Sequence, residues 1–462
     1  MIRVSQATPE EYVRQHRLSH NHESTHSSIP SVYAIVYPFD QYYLPGQPDV
    51  ELLALISITT DSKGRESWFG SVGRYNELSQ PQCKSLENLT ESAHCQALAT
   101  ELCWPWIALD QGLPLKPISI KKPWGQEVWF TGIEERGLSA IASGDFQAPL
   151  PWVLSLAPQR LTGGLARKIN LLKILDPLPE EVFGDLYFEL HEEKQEVYVV
   201  THVDELAWPA GVGGIRFGFD EAVRQNYTSD FEFKQAFADA VSAYEQVRHE
   251  IDRQMDVMRG EEGVALNDAV MANQTKAWLK RIPTSLLDKE AHLRAAMDVF
   301  KGFKPLVLGD VVTVPCLTPH SLLHGVRTIE FQTPVYERQI ISFAQKVLTQ
   351  ENWDTSAALT CVKLDTPKSE PLKRLEQQAG VTVDEVVCFD DFEVWRIQLD
   401  GSNSWALPSE FPYALLMGLT GKVSVGELNV SQEQGGILSG ALAGQPIIPV
   451  GESAAFLLAM PR

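Results

Sequence analysis

Four residues that commonly bind metals stand in two parts of the chain where the sequence favours β-strands. Glu189, His191 and Glu196 fall within one short stretch, and His320 follows a proline-bounded corner more than a hundred residues later. Carboxylate oxygens and neutral imidazole nitrogens together suit Zn²⁺, Mn²⁺ or Fe²⁺. The sequence therefore predicts a site for one divalent metal, held by Glu189, His191, Glu196 and His320.

Two strands and a polar turn are expected to position the first three of these residues. Residues 187–191 alternate between apolar and polar side chains, which places Glu189 and His191 on one face of a strand. A polar turn follows, and residues 196–200 are rich in β-branched and aromatic side chains, as is typical of a strand. Folded as a hairpin, these strands would bring both residues onto a common face with Glu196.

Length and charge bound the possible functions. The chain has 462 residues, of which 44% are hydrophobic, and a formal net charge of −21. Two or three domains are therefore expected. The negative charge argues against nonspecific binding of nucleic acid and against binding to an anionic membrane surface. It would also repel an anionic substrate at long range, so a site for one needs local cations.

Cysteine usage and the lack of long apolar runs favour a cytoplasmic location. The six cysteines form no CxxC pair and no dense framework, which is typical of reduced thiols in the cytosol. The N-terminus has no apolar signal core, and no apolar run is long enough to span a bilayer.

Residues 1–115 are expected to form an α+β or β extension. Thr8, followed by a proline and two glutamates, has the pattern of a helix start, and residues 32–37 and 51–58 have the pattern of strands. The segment between them carries His16, His20, His22 and His26. A solvated polar segment is the preferred interpretation of these histidines, and a metal site is the alternative.

The order of these motifs resembles that of a known family. The stretch from Gly184 through Glu196, followed by Gly309, Pro315 and His320, is similar to the paired metal-binding motifs of the cupin superfamily. Within it, the chain most resembles the type I phosphomannose isomerases. The segments that carry this resemblance are Glu189-Leu-His191, Lys194-Gln-Glu196, Pro319-His320, Glu330-Phe-Gln332 and Tyr336-Glu-Arg338.

The resemblance implies a fold that is mainly β with a helical insertion. A cupin (jelly-roll β-barrel) metal domain would have its first half at 116–220 and its second half, with the metal histidine, at 303–360. Residues 221–302 have apolar side chains at helical spacing and would be the insertion. Residues 381–462 would form a second, degenerate cupin-like β-domain that is free of metal, since no histidine follows His324.

The same resemblance implies a metal-dependent aldose–ketose isomerase that converts mannose 6-phosphate to fructose 6-phosphate or acts on a related sugar. It favours Zn²⁺ as the metal and assigns catalytic positions to three residues. Glu330 would be the base, Lys194 would transfer a proton or stabilise the oxyanion, and Arg338 would hold phosphate or transition-state charge.

Two departures from the family pattern leave other activities open. Glu189 stands where the family has glutamine, and Tyr187 stands where it often has a serine that contacts phosphate. A more anionic site without that serine favours a different substrate, an unphosphorylated or differently charged sugar. The alternatives are a noncatalytic carbohydrate-binding cupin and a metal-dependent cupin oxidoreductase that uses O₂.

Overall fold

The computed structural model of the chain describes residues 1–23, 32–368, 370–401 and 403–462. The chain divides into two compact units, and each unit is assembled from separate stretches. Unit 1 comprises Met1–Ile118, Trp129–Leu172 and Leu372–Arg462. Unit 2 comprises Ser119–Val128 and Lys173–Pro371.

The helices and strands are numbered in chain order. Up to residue 162 they are β1 (Ile2–Arg3), α1 (Pro9–Glu23), β2 (Val32–Phe39), β3 (Val50–Thr60), β4 (Glu66–Arg74), α2 (Gln80–Ser85), α3 (Ser92–Glu101), β5 (Ile107–Ala108), β6 (Leu113–Lys116), β7 (Ile118–Lys122), β8 (Gly125–Trp129), β9 (Ile133–Glu134), β10 (Gly137–Leu138), β11 (Ala140–Ser143), β12 (Phe146–Pro149), α4 (Leu150–Leu156) and α5 (Pro158–Thr162). From residue 171 to 361 they are β13 (Leu171–Pro177), β14 (Phe188–Leu190), β15 (Glu196–Val203), β16 (Gly213–Phe219), α6 (Glu221–Arg224), α7 (Asp230–Glu261), α8 (Ala272–Leu279), α9 (Thr284–Asp298), β17 (Lys301–Leu306), β18 (Val311–Val314), β19 (His320–Leu322), β20 (Val326–Gln332), β21 (Gln339–Ser342) and α10 (Thr355–Cys361). The remaining strands are β22 (Lys373–Gln378), β23 (Val381–Cys388), β24 (Phe392–Asp400), β25 (Trp405–Ala406), β26 (Tyr413–Thr420), β27 (Lys422–Val425), β28 (Leu428–Ser431), β29 (Gly435–Ser439), β30 (Pro446–Pro449) and β31 (Ser453–Pro461).

Unit 1 joins the N-terminal and C-terminal parts of the chain. Its N-terminal sheet has the strand order β1-β2-β3-β4-β5, and its largest sheet has the order β12-β11-β6-β29-β26-β31-β24-β23-β22. The family resemblance assigned residues 129–172 to the first half of the metal domain. These residues belong to unit 1, because β11 pairs with β6, and β6 pairs with β29. These pairings link segments that are distant in the sequence, and no local pattern encodes them.

The local expectations for the N-terminal region are confirmed at two strands and one helix. β2 and β3 cover the predicted strands, and α1 begins at Pro9. The Glu11 carboxylate accepts from the Thr8 backbone N–H at 2.8 Å, and the Thr8 hydroxyl accepts from the Glu11 N–H at 3.2 Å, which is a capping box. His26 and the side chains of His20 and His22 lie outside the described residues.

Unit 2 is built on two sheets with a shared apolar core. One sheet has the order β18-β15-β20-β13-β8-β7, and the other has the order β17-β16-β19-β14-β21. The core between them includes Leu175, Tyr198 and Val326 from the first sheet and Phe217 and Ile340 from the second. Because side chains alternate along a strand, residues two positions from these point into the same interior. The described strands form separate sheets rather than a closed barrel.

Helices occupy the chain between β16 and β17. α7 is 32 residues long, and its buried side chains recur at helical spacing, including Phe233, Phe237, Val241 and Tyr244. They pack in one cluster with Phe188 of β14. No helix in the described part of the chain combines the length and the apolar character that a membrane span needs.

The expected hairpin between β14 and β15 is wrong. β14 pairs with β19 and β21 in the five-stranded sheet, whereas β15 pairs with β18 and β20 in the six-stranded sheet. The polar turn at 191–195 therefore carries the chain from one sheet to the other. Each strand still directs its polar side chains inward, so the turn brings together residues from opposite sheets.

Candidate metal centre

The predicted ligands converge where the chain passes between the two sheets of unit 2. Glu189 on β14 is the register partner of His320 on β19, and such partners present side chains to the same face. His191 follows β14, and its donor atom lies within 4.8 Å of the donor atoms of Glu189 and His320. Glu196 opens β15, and the side chains of His191, Glu196 and His320 are each 3% exposed or less.

The carboxylate of Glu196 lies between the two imidazoles. Its Oε1 is 3.3 Å from Nε2 of His191, and its Oε2 is 3.1 Å from Nε2 of His320. The other ring nitrogens, both Nδ1, lie 2.9 Å from the carbonyl oxygen of Glu337 and 3.1 Å from that of Thr318. A carbonyl oxygen only accepts, so each Nδ1 carries a hydrogen, and a neutral ring then has its lone pair on Nε2.

This arrangement fits a divalent cation. With both rings neutral, as metal ligands must be, two Nε2 lone pairs would face this carboxylate, and a bound cation between them would relieve that contact of acceptors. Nε2 of His191 and Oε2 of Glu189 are buried and have no hydrogen-bond partner. Burial, reinforced by the nearby ammonium of Lys194, holds the pKa of His191 well below its ordinary value, so this ring is a neutral ligand.

Glu196 and His320 show the opposing electrostatic influences at this centre. Burial alone would raise the pKa of Glu196, but Lys194 and the two imidazoles outweigh it and hold the pKa well below the ordinary range. Burial alone would lower the pKa of His320, but the hydrogen bond to Glu196 and the charges of Glu196 and Glu189 raise it above the ordinary value. The hydroxyl of Tyr198 also donates to Oε2 of Glu196 at 2.6 Å.

Lys194 is a buried member of the cluster rather than a solvated turn lysine. Its Nζ lies 3.0 Å from Oε1 of Glu196, and its side chain is 9% exposed. An ammonium in this position can donate to an oxygen of a ligand bound beside the metal ligands.

Glu330 lies on the same inner face of the six-stranded sheet and pairs with a lysine that sequence reasoning missed. Its Oε1 is 3.3 Å from Nζ of Lys173 on β13, and its side chain is 1% exposed. Glu330 is the register partner of Tyr198. Burial raises the pKa of Glu330 to about 8, against the lowering effect of Lys173. A lysine inside the apolar strand 171–175 was the available signal for Lys173.

Arg338 contacts Tyr187 and Glu189, the two residues that depart from the pattern of the phosphomannose isomerases. Its guanidinium lies over the ring of Tyr187 at 4.6 Å. Its Nε lies 3.9 Å from Oε2 of Glu189, and its Nη2 donates to Oγ1 of Thr349 at 3.1 Å. Glu189 therefore has a cation beside it that offsets its additional charge.

Glu337 is a second residue that sequence reasoning missed. Its Oε1 accepts the backbone N–H groups of Glu193 at 3.1 Å and Lys194 at 3.2 Å, while its carbonyl oxygen accepts from His191. It therefore fixes the turn that carries Lys194. Nothing in the sequence distinguishes Glu337 from a surface glutamate.

Two other histidines of unit 2, and a second cluster of potential ligands in unit 1, have other roles. His202 is exposed, and His324 pairs with Asp185 at 2.7 Å and stacks on Trp208. In unit 1, Glu385, Cys388 and Glu393 also bring donor atoms within 4.8 Å of one another. Cys388 is exposed, and Glu385 is paired with Lys373 at 3.2 Å, so ordinary surface contacts account for this group.

Comparison with known proteins supports the fold. No family model matches the sequence, and no curated protein matches it significantly. The crystal structure of the mannose 6-phosphate isomerase from Bacillus subtilis matches with a TM-score of 0.52 at 13% identity, covering 76% of this chain and 99% of that chain. The apo form of the mannose 6-phosphate isomerase from Salmonella typhimurium matches with the same TM-score, identity and coverage. This chain therefore has the cupin fold of the type I phosphomannose isomerase structures, as the order of its motifs predicted.

Proposed function

We propose that this protein is a metal-dependent aldose–ketose isomerase that converts mannose 6-phosphate to fructose 6-phosphate or acts on a related sugar. The observation that carries the proposal is the buried Glu330–Lys173 pair, which shares one inner sheet face with Glu196. Such a pair supplies a base and a cation next to a set of metal ligands. The solved structures with the same fold are named as mannose 6-phosphate isomerases.

The reaction needs a base that can hold one proton and return it. Isomerisation removes the proton from C2 of the aldose and delivers it to C1, while the hydroxyl proton moves between the two oxygens through an enediol. We assign the carbon-bound proton to Glu330, because burial raises its pKa from the ordinary carboxylate range towards neutrality, as a general base requires. The ammonium groups of Lys173 and Lys194 can donate to the oxygens on which negative charge develops.

The metal ligands complete this assignment. We propose that Glu189, His191, Glu196 and His320 hold one divalent ion, most simply Zn²⁺, with Mn²⁺ and Fe²⁺ as alternatives. When bound, such an ion would polarise the carbonyl group of the substrate and stabilise negative charge on its oxygen.

The charges around the centre favour an anionic substrate or an anionic intermediate. Carboxylates and side-chain cations nearly balance here: Glu127, Glu189, Glu196, Glu330 and Glu337 against Lys122, Lys173, Lys194 and Arg338. A bound divalent ion would then give the centre a net positive charge, which attracts a phosphate or an enediolate. We therefore propose a sugar phosphate as the first substrate to assay.

The test combines metal analysis with an assay of mannose 6-phosphate conversion to fructose 6-phosphate. Glu330→Gln should lower kcat by roughly a hundredfold or more, the usual scale for loss of a general base, and should keep one equivalent of metal per chain. The matched control is Glu205→Gln, because Glu205 is exposed, and it should have wild-type activity. His320→Ala should lose the metal.

Two results would contradict the proposal. If wild type and Glu330→Gln hold metal and are equally inactive on phosphorylated and unphosphorylated aldoses, the centre is a binding site without isomerase activity. If His320→Ala keeps a full equivalent of metal, the ligand assignment is wrong.

A further inference from the structure

A cavity of about 200 Å³ lies in unit 2 among the helices between β16 and β17 and the segments at 181–183 and 344–348. Part of its lining is apolar, including Met255 and Leu287. None of the four proposed metal ligands is among the residues that line it. The cationic side chains of Arg248, Arg259, Arg294 and Lys346 also line this cavity.

Two of these four cations are paired with carboxylates that do not line this cavity. Arg248 donates from Nη2 to Oδ1 of Asp252 at 2.9 Å, and Lys346 pairs with Oδ1 of Asp256 at 2.5 Å. Asp252 and Asp256 line a neighbouring cavity and not this one. These two ion pairs offset part of the charge of Arg248 and Lys346, so an anion in the cavity would depend mainly on Arg259 and Arg294.

The acidic residues in the lining cancel only part of this charge. Glu290 accepts from the hydroxyl of Tyr244 at 2.8 Å and from Nε of Arg294 at 3.3 Å, so it offsets part of the charge of Arg294. Glu181 also lines the cavity, but it is exposed to solvent, which screens it. The lining thus has four cations against two acids.

Arg259 is the least compensated of these cations. Its side chain is 3% exposed, and the nearest carboxylate oxygen, Oδ1 of Asp256, lies 3.8 Å from Nε and is shared with Lys346. Nη1 donates to two backbone carbonyls, but Nε has no hydrogen-bond partner. The guanidinium lies over the ring of Trp278 at 5.5 Å, which compensates part of its charge. Without a close anion a buried guanidinium is still costly, and burial lowers the pKa of Arg259.

We propose that this cavity binds a small organic anion, a carboxylate or a phosphate monoester, through Arg259 and Arg294. An anionic group would supply the acceptor that Arg259 lacks, and the apolar wall would take the carbon skeleton. This site is separate from the proposed isomerase centre and does not depend on the metal. A ligand in this cavity would contact both α7, through Arg259, and α9, through Arg294. The helical insertion would then have a binding function of its own.

Isothermal titration calorimetry with inorganic phosphate and with succinate tests the site. Wild type should bind at least one of the two, and the preferred probe tells a phosphate site from a carboxylate site. Arg259→Met should weaken binding at least about tenfold, because it removes a buried charged partner. The matched control is Arg253→Met, since Arg253 lies on the same helix with its side chain 68% exposed, and it should bind as wild type does.

Arg294→Gln keeps the test decisive if Arg259→Met does not fold. The side chain of Arg294 is 25% exposed, so its loss is tolerated more easily, and it leaves the charge of Glu290 facing the cavity. This variant should also weaken binding at least about tenfold. Absence of heat with both probes in wild type, or equal affinity in Arg294→Gln and Arg253→Met, would overturn the proposal. Phosphate that binds only near the metal ligands would give that second result.

Discussion

At the residue scale, Glu330 makes the folded protein sensitive to pH in an unusual direction. Burial raises its pKa to about 8 in the folded state, whereas a glutamate in an unfolded chain titrates at about 4.3. Between these values the folded protein keeps a proton that the unfolded chain has lost. The contribution of Glu330 to stability is therefore complete below a pH of about 4.3 and is lost as the pH rises to about 8.

Comparison of wild type with Glu330→Gln isolates this contribution. Glutamine stays neutral at every pH, so the free energy of unfolding of the variant, relative to wild type, should rise between about pH 5 and pH 8 and level off above it. Urea unfolding of the metal-free proteins measures the difference, because a bound cation would lower the pKa of Glu330. A difference that does not change across this range would show that Glu330 titrates near its ordinary value.

The residues of the centre show what a single sequence can reveal. Glu189, His191, Glu196 and His320 are of metal-binding type and stand in recognisable motifs, so the sequence could name them before the structure brought them together. Lys173 gave a weaker signal, as a charge within an apolar strand. Glu337 gave none, because its role depends on the N–H groups of a turn more than a hundred residues away.

At the element scale, the alternation of side chains was informative and the pairing of strands was not. The alternation of side chains along a strand correctly predicted that Glu189 and Glu196 point inward. No local sequence pattern indicated that β14 and β15 belong to different sheets. Adjacent strands joined by a short polar turn usually form a hairpin. Here β14 and β15 instead pair with strands that lie far along the chain. A prediction from neighbouring residues could not identify these pairings.

The turn between these strands should control metal affinity. Glu337→Ala removes the carboxylate that accepts two N–H groups of the turn, so His191 and Lys194 lose part of their support. Loss of such an outer partner commonly weakens metal binding by about 10–100-fold. Competition with a chelator measures the affinity. Glu193→Ala is the matched control, because it keeps the backbone N–H that Glu337 binds, and affinities that agree between the two variants would exclude this role for Glu337.

At the scale of the whole molecule, the candidate metal centre belongs to one of two units that are interleaved along the chain. The chain passes from one unit to the other after residues 118, 128, 172 and 371. Domains drawn as consecutive ranges of the sequence cannot describe such a division, because β6 and β29 pair across more than three hundred residues. Each unit nevertheless has its own apolar core, one around Leu416 and Phe456 in unit 1 and one around Tyr198 and Phe217 in unit 2.

Removal of the metal should therefore affect the two units unequally. A ligand that binds only the folded state stabilises the structure that holds it, and all four proposed ligands lie in unit 2. After treatment with EDTA, hydrogen exchange should become at least about tenfold faster in β14, β15, β19 and β20, which surround the centre, and should change little in β24 and β31 of unit 1. Hydrogen–deuterium exchange with peptide-level mass spectrometry measures both regions in one sample. His320→Ala is the control, because a chain that lacks the metal should exchange at the same rates with and without EDTA. An equal acceleration in β31 would show that the two units open as one cooperative structure, and no acceleration in either would show that these four residues do not bind a metal that stabilises the fold.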